Sequence, residues 1–155
     1  MLYYMIALVV FLIDQGTKWL IVKSMNIGES IPIWEGVFNL TSHRNRGAAF
    51  GILQNRRVFF IVITIVIIIG IIWYMRKIMQ ESKLLALALA LILGGAVGNF
   101  YDRLLTGEVV DFFDFTLIHY PIFNVADSAI VIGVGLFILD VIRDMIGQRQ
   151  ERMNG

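Results

Sequence analysis

The amino-acid sequence predicts an all-α integral membrane protein with four transmembrane helices. One observation is composition: 58% of the 155 residues are hydrophobic and mean hydropathy is +0.77, which is more apolar than a soluble domain of this length usually is. A second is that apolar runs of roughly twenty residues, the length that crosses a hydrocarbon core, recur along the chain. A third is that polar connectors separate these runs, at residues 23–57, 76–83 and 102–123. The predicted spans cover about residues 2–22, 58–75, 84–101 and 124–142.

The first span, residues 2–22, is interpreted as a retained helix. It lacks the basic start and the small-residue cleavage site of a cleaved signal peptide. It contains Asp14 and Lys18, which are four residues apart and therefore share a helix face. We expect them to pair inside the helix bundle, since a chemical role for Asp14 would need a further partner.

The first long connector, residues 23–57, has strand-like stretches such as Val37–Thr41. Turn-forming pairs occur on either side of that stretch, at Glu35-Gly36 and Arg46-Gly47. A small amount of β-structure is therefore expected between the first and second spans.

The second and third spans differ in composition. Residues 58–75 are almost wholly apolar and rich in β-branched side chains. In lipid a segment of this length forms a helix, because it must satisfy its backbone hydrogen bonds internally. Residues 84–101 contain Gly94 and Gly98, a pair at the spacing that lets two helices approach closely. We expect these glycines to serve packing.

Polar residues end the third span, in the stretch GNFYDR. Asn99 lies three residues before Asp102 and four before Arg103, so the three side chains are predicted to form one polar face near the membrane boundary. The simplest interpretation is structural, with Asp102 and Arg103 pairing to close the helix end.

Carboxylates also lie beside the last span, in the stretches VVDFFDF and FNVADSA. Asn124 is a predicted helix N-cap, and Asp127 lies a turn further in. An acid in the membrane is costly and indicates function by default. Two such acids a few ångströms apart cannot both ionise easily, so one retains a proton. One can then activate water while the other polarises a carbonyl, as in aspartic proteases.

Composition and spacing weigh against several other chemistries. The net charge of +1 and the scattered arginines give no basic stripe, so no nucleic-acid partner is expected. The absence of cysteine removes disulfides, thiol catalysis and Cys-ligated metals. His43 and His119 lack metal-ligand spacing, and no serine lies in a G-x-S-x-G elbow. Asp140 and Asp144, near Arg143, are interpreted as a solvated helix end.

From the residues alone, three functions remain open. A membrane aspartyl hydrolase would use the carboxylates to activate water. A small proton-coupled carrier would use the same carboxylates to relay protons. A non-enzymatic scaffold would use buried polar pairs only to pack its helices.

Five stretches of the chain, in order and spacing, resemble the bacterial lipoprotein signal peptidases, also called signal peptidase II. Each motif alone is modestly specific, but the ordered set is highly specific and covers essentially the whole chain. The stretches are DQGTKW (14–19), NRGAAFGIL (45–53), GGAVGNFYDR (94–103), GEVVDFFDF (107–115) and PIFNVADSAIVIG (121–133).

The resemblance implies a fold and an activity. The fold has four membrane helices, a small extracytoplasmic β-cradle from residues 23–57 and a mobile segment from residues 102–123. The activity is that of an intramembrane aspartyl endopeptidase, which removes signal peptides from prolipoproteins by cleaving before the diacylglyceryl-modified cysteine. No metal or organic cofactor is expected. The expected partners are these prolipoprotein substrates, membrane lipid and globomycin-type inhibitors.

The resemblance also implies which residues form the site. The catalytic pair falls on Asp111 and Asp127. Supporting residues are expected to orient this pair, the substrate backbone and the cradle. They are Asp14, Asn45, Gly47, Asn99, Asp102, Arg103 and Asn124.

The chain is predicted to be a single polytopic domain, residues 1–155, in the bacterial cell membrane. Four spans put both termini and residues 76–83 on one side, and both long connectors on the other. The positive-inside rule gives no clear orientation, because Lys and Arg occur on both sides. We expect cytoplasmic termini and an active site near the extracytoplasmic face.

Overall fold

The computed structural model describes residues 1–47 and 52–154. Residues 48–51, part of the NRGAAFGIL motif, lie outside the described residues. Within the described ranges, four helices are each long and apolar enough to cross a membrane, which confirms the predicted four-span fold. The helices are α1 (Leu2–Ser24), α2 (Arg57–Ile78), α3 (Lys83–Leu105) and α4 (Val125–Asn154).

Helix α3 is the centre of the bundle, because small side chains let neighbouring helices approach it closely. It packs against α1, α2 and α4, and 61% of its most apolar stretch is buried, against 6% for α2. A Cβ added to Gly94 would lie 2.6 Å from the Ala7 carbonyl oxygen, and one added to Gly98 would lie 2.5 Å from Asp14 Oδ2. Both glycines therefore face α1 at a distance that no larger residue allows, which confirms their predicted packing role.

A three-stranded antiparallel sheet adjoins the helices, in the order β1-β2-β3. Strands β1 (Ser30–Trp34) and β2 (Phe38–Asn45) form a hairpin from the first connector, and β3 (Val109–Asp114) pairs with β2. Gly36 in the hairpin turn has φ +72°, a left-handed conformation that glycine adopts without strain. The strand predicted at Val37–Thr41 is confirmed from Phe38 onward as part of β2, whereas Val37 lies in the hairpin turn.

The expected cradle from residues 23–57 is incomplete, because the third strand of the sheet comes from the second long connector. The stretch VVDFFD has no strict alternation of polar and apolar residues, so its pattern does not signal a strand. Tertiary packing forms it: Phe112 is 3% exposed and contacts Ile21 and Met25 at the end of α1. This packing holds Asp111, the neighbour of Phe112, against the helices.

The segment between β3 and α4 folds back onto the sheet. It contains a short 3-10 helix, Thr116–Ile118, and an isolated bridge that joins Phe113 to Phe123. The rings of Phe115 and Phe123 stack with their centroids 5.9 Å apart. These contacts hold the segment beside the beginning of α4.

The predicted solvated helix end at Asp140 is wrong, although Asp144 is exposed as expected. Asp140 is only 8% exposed and accepts a hydrogen bond from Ser82 Oγ at 2.8 Å. The same hydroxyl oxygen accepts from the Leu85 N–H and thereby caps α3. Asp140 therefore ties the beginning of α3 to α4, a contact between residues 58 positions apart.

Candidate active site

Asp111 and Asp127 reach one cavity from different elements. Asp111 projects from β3 and is 1% exposed, whereas Asp127 lies in the first turn of α4. Both line a cavity of about 370 Å³, together with Asn99 and Arg103 from the last turns of α3. The structure thus brings together the two carboxylates that were predicted to form a pair.

Asn124 links the two carboxylates, because it is both a helix cap and a hydrogen-bond donor. The Asp127 N–H donates to Asn124 Oδ1 at 2.9 Å, and the Asn124 N–H donates to Asp127 Oδ2 at 3.2 Å. This reciprocal pattern is that of a capping box at the beginning of α4, and it confirms the predicted N-cap. Asn124 Nδ2 also donates to Asp111 Oδ1 at 2.6 Å. The cap therefore fixes Asp127 relative to Asp111.

Two further amides hold the other carboxylate oxygens. Asn45 Nδ2 on β2 donates to Asp111 Oδ2 at 3.0 Å, and Asn99 Nδ2 on α3 donates to Asp127 Oδ1 at 2.7 Å. The Asn45 amide is oriented by the Gly47 N–H, which donates to Asn45 Oδ1 at 2.9 Å. Each carboxylate therefore has both oxygens hydrogen-bonded, by groups that carry no net charge.

The carboxyl of Asp111 has a raised pKa. Burial, and then the charge of Asp127, raise the pKa of Asp111 from 3.8 to about 7. Hydrogen bonds from Asn45 and Asn124, and the charge of Lys18, act in the opposite direction without cancelling the rise. Near neutral pH a large fraction of Asp111 therefore carries a proton.

A second group of carboxylates lies behind this pair, around the ammonium of Lys18. Lys18 Nζ lies 2.7 Å from Asp14 Oδ2 and 2.8 Å from Asp102 Oδ2, and the predicted Asp14–Lys18 pair is confirmed. The same nitrogen donates to Asn99 Oδ1 at 3.0 Å. Because the oxygen of the Asn99 amide faces Lys18, its nitrogen faces Asp127.

The predicted pairing of Asp102 with Arg103 is wrong. Consecutive helix residues project about 100° apart, so Asp102 faces Lys18 on α1 while Arg103 faces the cavity. Arg103 Nη2 donates to the Gly47 carbonyl oxygen at 2.9 Å. Its guanidinium lies over the ring of Phe60 on α2, 4.6 Å from the centroid.

Two residues of α1, Gln15 and Lys18, belong to the site although the predicted set omitted them. Gln15 Nε2 donates to Asp102 Oδ1 at 3.0 Å. Beside it, Asp14 Oδ1 accepts from the N–H of Ala126 at 2.9 Å and so holds the first turn of α4. A usable signal existed, because both omitted residues lie in the DQGTKW stretch and a polar side chain inside an apolar span needs a partner.

The chemistry available at the pair is acid–base chemistry. A buried carboxyl with a pKa of about 7 can protonate a developing oxyanion, and a carboxylate beside it can accept a proton from water. Among the described residues, no three His, Asp or Glu side chains group as candidate metal ligands.

Comparison with known proteins identifies the family. The family model described as signal peptidase (SPase) II matches residues 6–143. The chain belongs to the signal peptidase II family. Membership of the signal peptidase II family makes the protein a peptidase, and its four apolar helices make it a multi-pass membrane protein.

Relatives and a solved structure match this signal peptidase II chain over nearly its full length. It is 62% identical over 144 residues to the lipoprotein signal peptidase of Brevibacillus brevis, and the match covers 93% of this chain and 97% of that relative. It is 54% identical over 154 residues to the lipoprotein signal peptidase of Halalkalibacterium halodurans, and the match covers 98% of this chain and 99% of that relative. A solved bacterial membrane enzyme superposes with a TM-score of 0.87 at 44% identity, covering 92% of this chain and 88% of that one.

Proposed function

We propose that this protein is an intramembrane aspartyl endopeptidase that removes signal peptides from prolipoproteins, cleaving before the diacylglyceryl-modified cysteine. One observation carries the aspartyl assignment: the carboxylates of Asp111 and Asp127 share a cavity, and both accept hydrogen bonds from Asn124. The substrate class is that named for the relatives, which are lipoprotein signal peptidases.

In the proposed mechanism, Asp111 begins protonated and Asp127 begins ionised. Asp127 accepts a proton from water, whose oxygen attacks the scissile carbonyl carbon, while Asp111 donates its proton to the carbonyl oxygen. When the tetrahedral intermediate collapses, that oxygen returns its proton to Asp111, and Asp127 gives its proton to the departing amine. The carbon–nitrogen bond breaks, and both carboxyls regain their initial protonation states.

The other predicted site residues are proposed to position this pair. Amide and backbone N–H groups hold the carboxylate oxygens, and the ion cluster around Lys18 turns one of these amides toward the pair. The Gly47 carbonyl oxygen accepts a hydrogen bond from the Arg103 guanidinium, which lines the cavity. Positioning roles are assigned to Asp14, Asn45, Gly47, Asn99, Asp102, Arg103 and Asn124.

A lipidated substrate suits the surroundings of the pair. A second cavity, of about 400 Å³, also reaches Asp127 and is lined mainly by apolar side chains, among them Ile118, Val131 and Ile132. Val131 and Ile132 are themselves exposed on the membrane-spanning part of α4. Apolar parts of a membrane-borne substrate can therefore lie beside the carboxylates, and their binding energy can help to position the scissile bond.

Peptide cleavage tests the proposed function. The purified protein in detergent is given a diacylglyceryl-modified prolipoprotein peptide and, in parallel, the same peptide with an unmodified cysteine. We expect mass spectrometry to detect cleavage before the modified cysteine, and globomycin-type cyclic peptides to inhibit it by occupying the same cleft. An intact lipidated peptide would favour a proton-coupled carrier or a scaffold. Equal kcat/KM values for the two peptides would contradict the role of the lipid.

We further propose that both termini and residues 76–83 are cytoplasmic, with residues 23–57 and 102–123 and the active site on the extracytoplasmic side of the cell membrane. The natural chain has no cysteine, so single engineered cysteines report position without background. An impermeant thiol reagent applied to intact cells should label Ser30→Cys and leave Gln80→Cys unlabelled until the membrane is opened. The opposite pattern would reverse the topology.

A further inference from the structure

The first turn of α2 contacts one residue of the candidate active site, Arg103, at both its main chain and its side chain. Arg57 Nε donates to the Arg103 carbonyl oxygen at 2.8 Å, and Arg57 Nη2 donates to the Leu104 carbonyl oxygen at 2.7 Å. Three residues further along α2, the ring of Phe60 lies under the Arg103 guanidinium. Residues three apart share a helix face, so both contacts come from one side of α2.

We propose that Arg57 and Phe60 are positioning residues for peptide cleavage, which hold the Arg103 guanidinium beside the Asp111 and Asp127 carboxylates. The inference rests on the proposed function, because it assigns a role in the same reaction. Neither Arg57 nor Phe60 belongs to the motifs that predicted the site.

The main-chain contact fixes the end of the helix that carries Arg103. The last carbonyl groups of a helix have no intrahelical partner, and a cation favours that end of the helix dipole. Arg57 supplies both a donor and a charge to the carbonyls of Arg103 and Leu104. Gly107 leaves room for it, since a Cβ there would lie 3.2 Å from Arg57 Cδ, and its φ of +83° is one that larger residues rarely adopt.

The side-chain contacts fix the guanidinium. An arginine side chain loses much of its rotamer entropy when it is held in one conformation, so a defined position requires several contacts. The Arg103 guanidinium has the Gly47 carbonyl as a hydrogen-bond acceptor and the face of Phe60 as a cation–π partner. Phe60 also lines the cavity that contains both carboxylates.

A displaced guanidinium would change the electrostatics of Asp111. The charged groups around this carboxyl are Asp127 from α4, Lys18 from α1 and Arg103 from α3, and His43 lies opposite it in the strand register. Arg103 opposes the like-charge repulsion between the two carboxylates. Without it in place, Asp111 retains its proton to a higher pH.

Substitutions at Phe60 test the proposal against Val62, which is 55% exposed and lies two residues further along α2, away from the face shared by Arg57 and Phe60. Phe60→Leu keeps apolar volume but removes the ring. We expect kcat on the lipidated peptide to fall by roughly 2- to 30-fold, the range that corresponds to a cation–π interaction, with KM little changed. The alkaline limb of the pH–rate profile should move to higher pH. Phe60→Tyr keeps the ring and should restore both properties, and Val62→Ala should change neither.

Substitutions at Arg57 provide an independent test. Arg57→Gln should change kcat and the alkaline limb in the same direction as Phe60→Leu, whereas Arg56→Gln at the adjacent exposed residue should not. Because both positions act through Arg103, the double variant should lose less than the product of the two single losses. A wild-type kcat and pH profile for Phe60→Leu or Arg57→Gln would overturn the proposal, as would equal effects of Val62→Ala. Failure of the wild-type protein to cleave would instead count against the proposed function.

Discussion

Two groups of carboxylates lie in this protein, and their hydrogen-bonding partners differ in charge. Around Lys18, Asp14 and Asp102 each face an ammonium within 2.8 Å. Around Asn124, Asp111 and Asp127 face amides and backbone N–H groups. In the first group an ammonium lies within hydrogen-bond distance of both carboxylates, whereas in the second the hydrogen-bond donors to the carboxylate oxygens are uncharged.

The difference teaches how one membrane protein can use some buried acids to join its helices and hold others beside a cavity. Two carboxylates that face one ammonium form ion pairs between α1 and α3, and removing the cation would leave both without a charged partner. Amides hold the geometry of a carboxylate and supply no net charge, so burial and like-charge repulsion still act. That is why the pKa of Asp111 rises to about 7. Asn99 connects the groups, since its oxygen faces Lys18 and its nitrogen faces Asp127.

The largest expected effect comes from removing acid–base capacity in the amide-held group. Asp111→Asn and Asp127→Asn should each lower kcat by about 10²–10⁴-fold or more, because general acid–base assistance is worth that much. Rates are to be measured on folded, detergent-purified variants that still bind a globomycin-type peptide detectably. Asp114→Asn is the matched control: it lies on the same strand, accepts from Thr41 Oγ1 at 2.7 Å and should keep substantial activity. Near-normal turnover by either of the first two variants would end the assignment of the pair.

The next effect concerns the ammonium-held group and appears in stability. Lys18→Met should lower the free energy of unfolding by about 3–5 kcal/mol, because it leaves two buried carboxylates without a cation. Asp102→Asn should cost less, since Lys18 still faces Asp14, but it should reduce activity through Asn99. Lys23→Met is the control, because Lys23 is exposed over Trp19. Thermal unfolding in detergent measures all three. A Lys18→Met variant as stable as the control would remove the contrast between the groups.

The smallest expected effect is a pH dependence that distinguishes the groups in the native protein. The mechanism needs protonated Asp111, and that fraction falls as pH rises through about 7. The kcat/KM on the lipidated peptide should therefore decline above pH 7, approaching about tenfold per unit. Asp114→Asn should leave this limb unchanged. A rate that rises through the same range would instead make Asp111 the base.

The spans and the local pairs could be predicted because their signals are local. Twenty apolar residues need no tertiary context to indicate a membrane helix, and Asp14 and Lys18 pair at a spacing fixed by helix geometry. The Asn124 cap depends on residues within one turn.

Other contacts could not be predicted, because they join elements distant in sequence. Helix geometry places Asp102 and Arg103 on different faces, but only the fold brings Lys18 to one and Phe60 to the other. Strand β3 lacks an alternating pattern and forms through pairing with β2. Asp140 has charged sequence neighbours that are typical of a solvated helix end, and only tertiary packing brings Ser82 to it. Asn45 was predicted as a site residue only from the motif resemblance, because it contacts Asp111 across 66 residues of sequence.

The division of the pair between β3 and α4 has a consequence for biosynthesis. Polypeptides are made from the N-terminus onward, so Asp111 is translated before the last span, whereas Asn124 and Asp127 belong to the beginning of that span. Until α4 has inserted, Asp111 lacks both the amide that orients it and the carboxylate with which it shares the cavity. If these carboxylates are the catalytic pair proposed above, a nascent chain cannot cleave peptides while the ribosome is still delivering it to the bilayer. On the same proposal, the chain gains this capacity only as its own last helix enters the membrane.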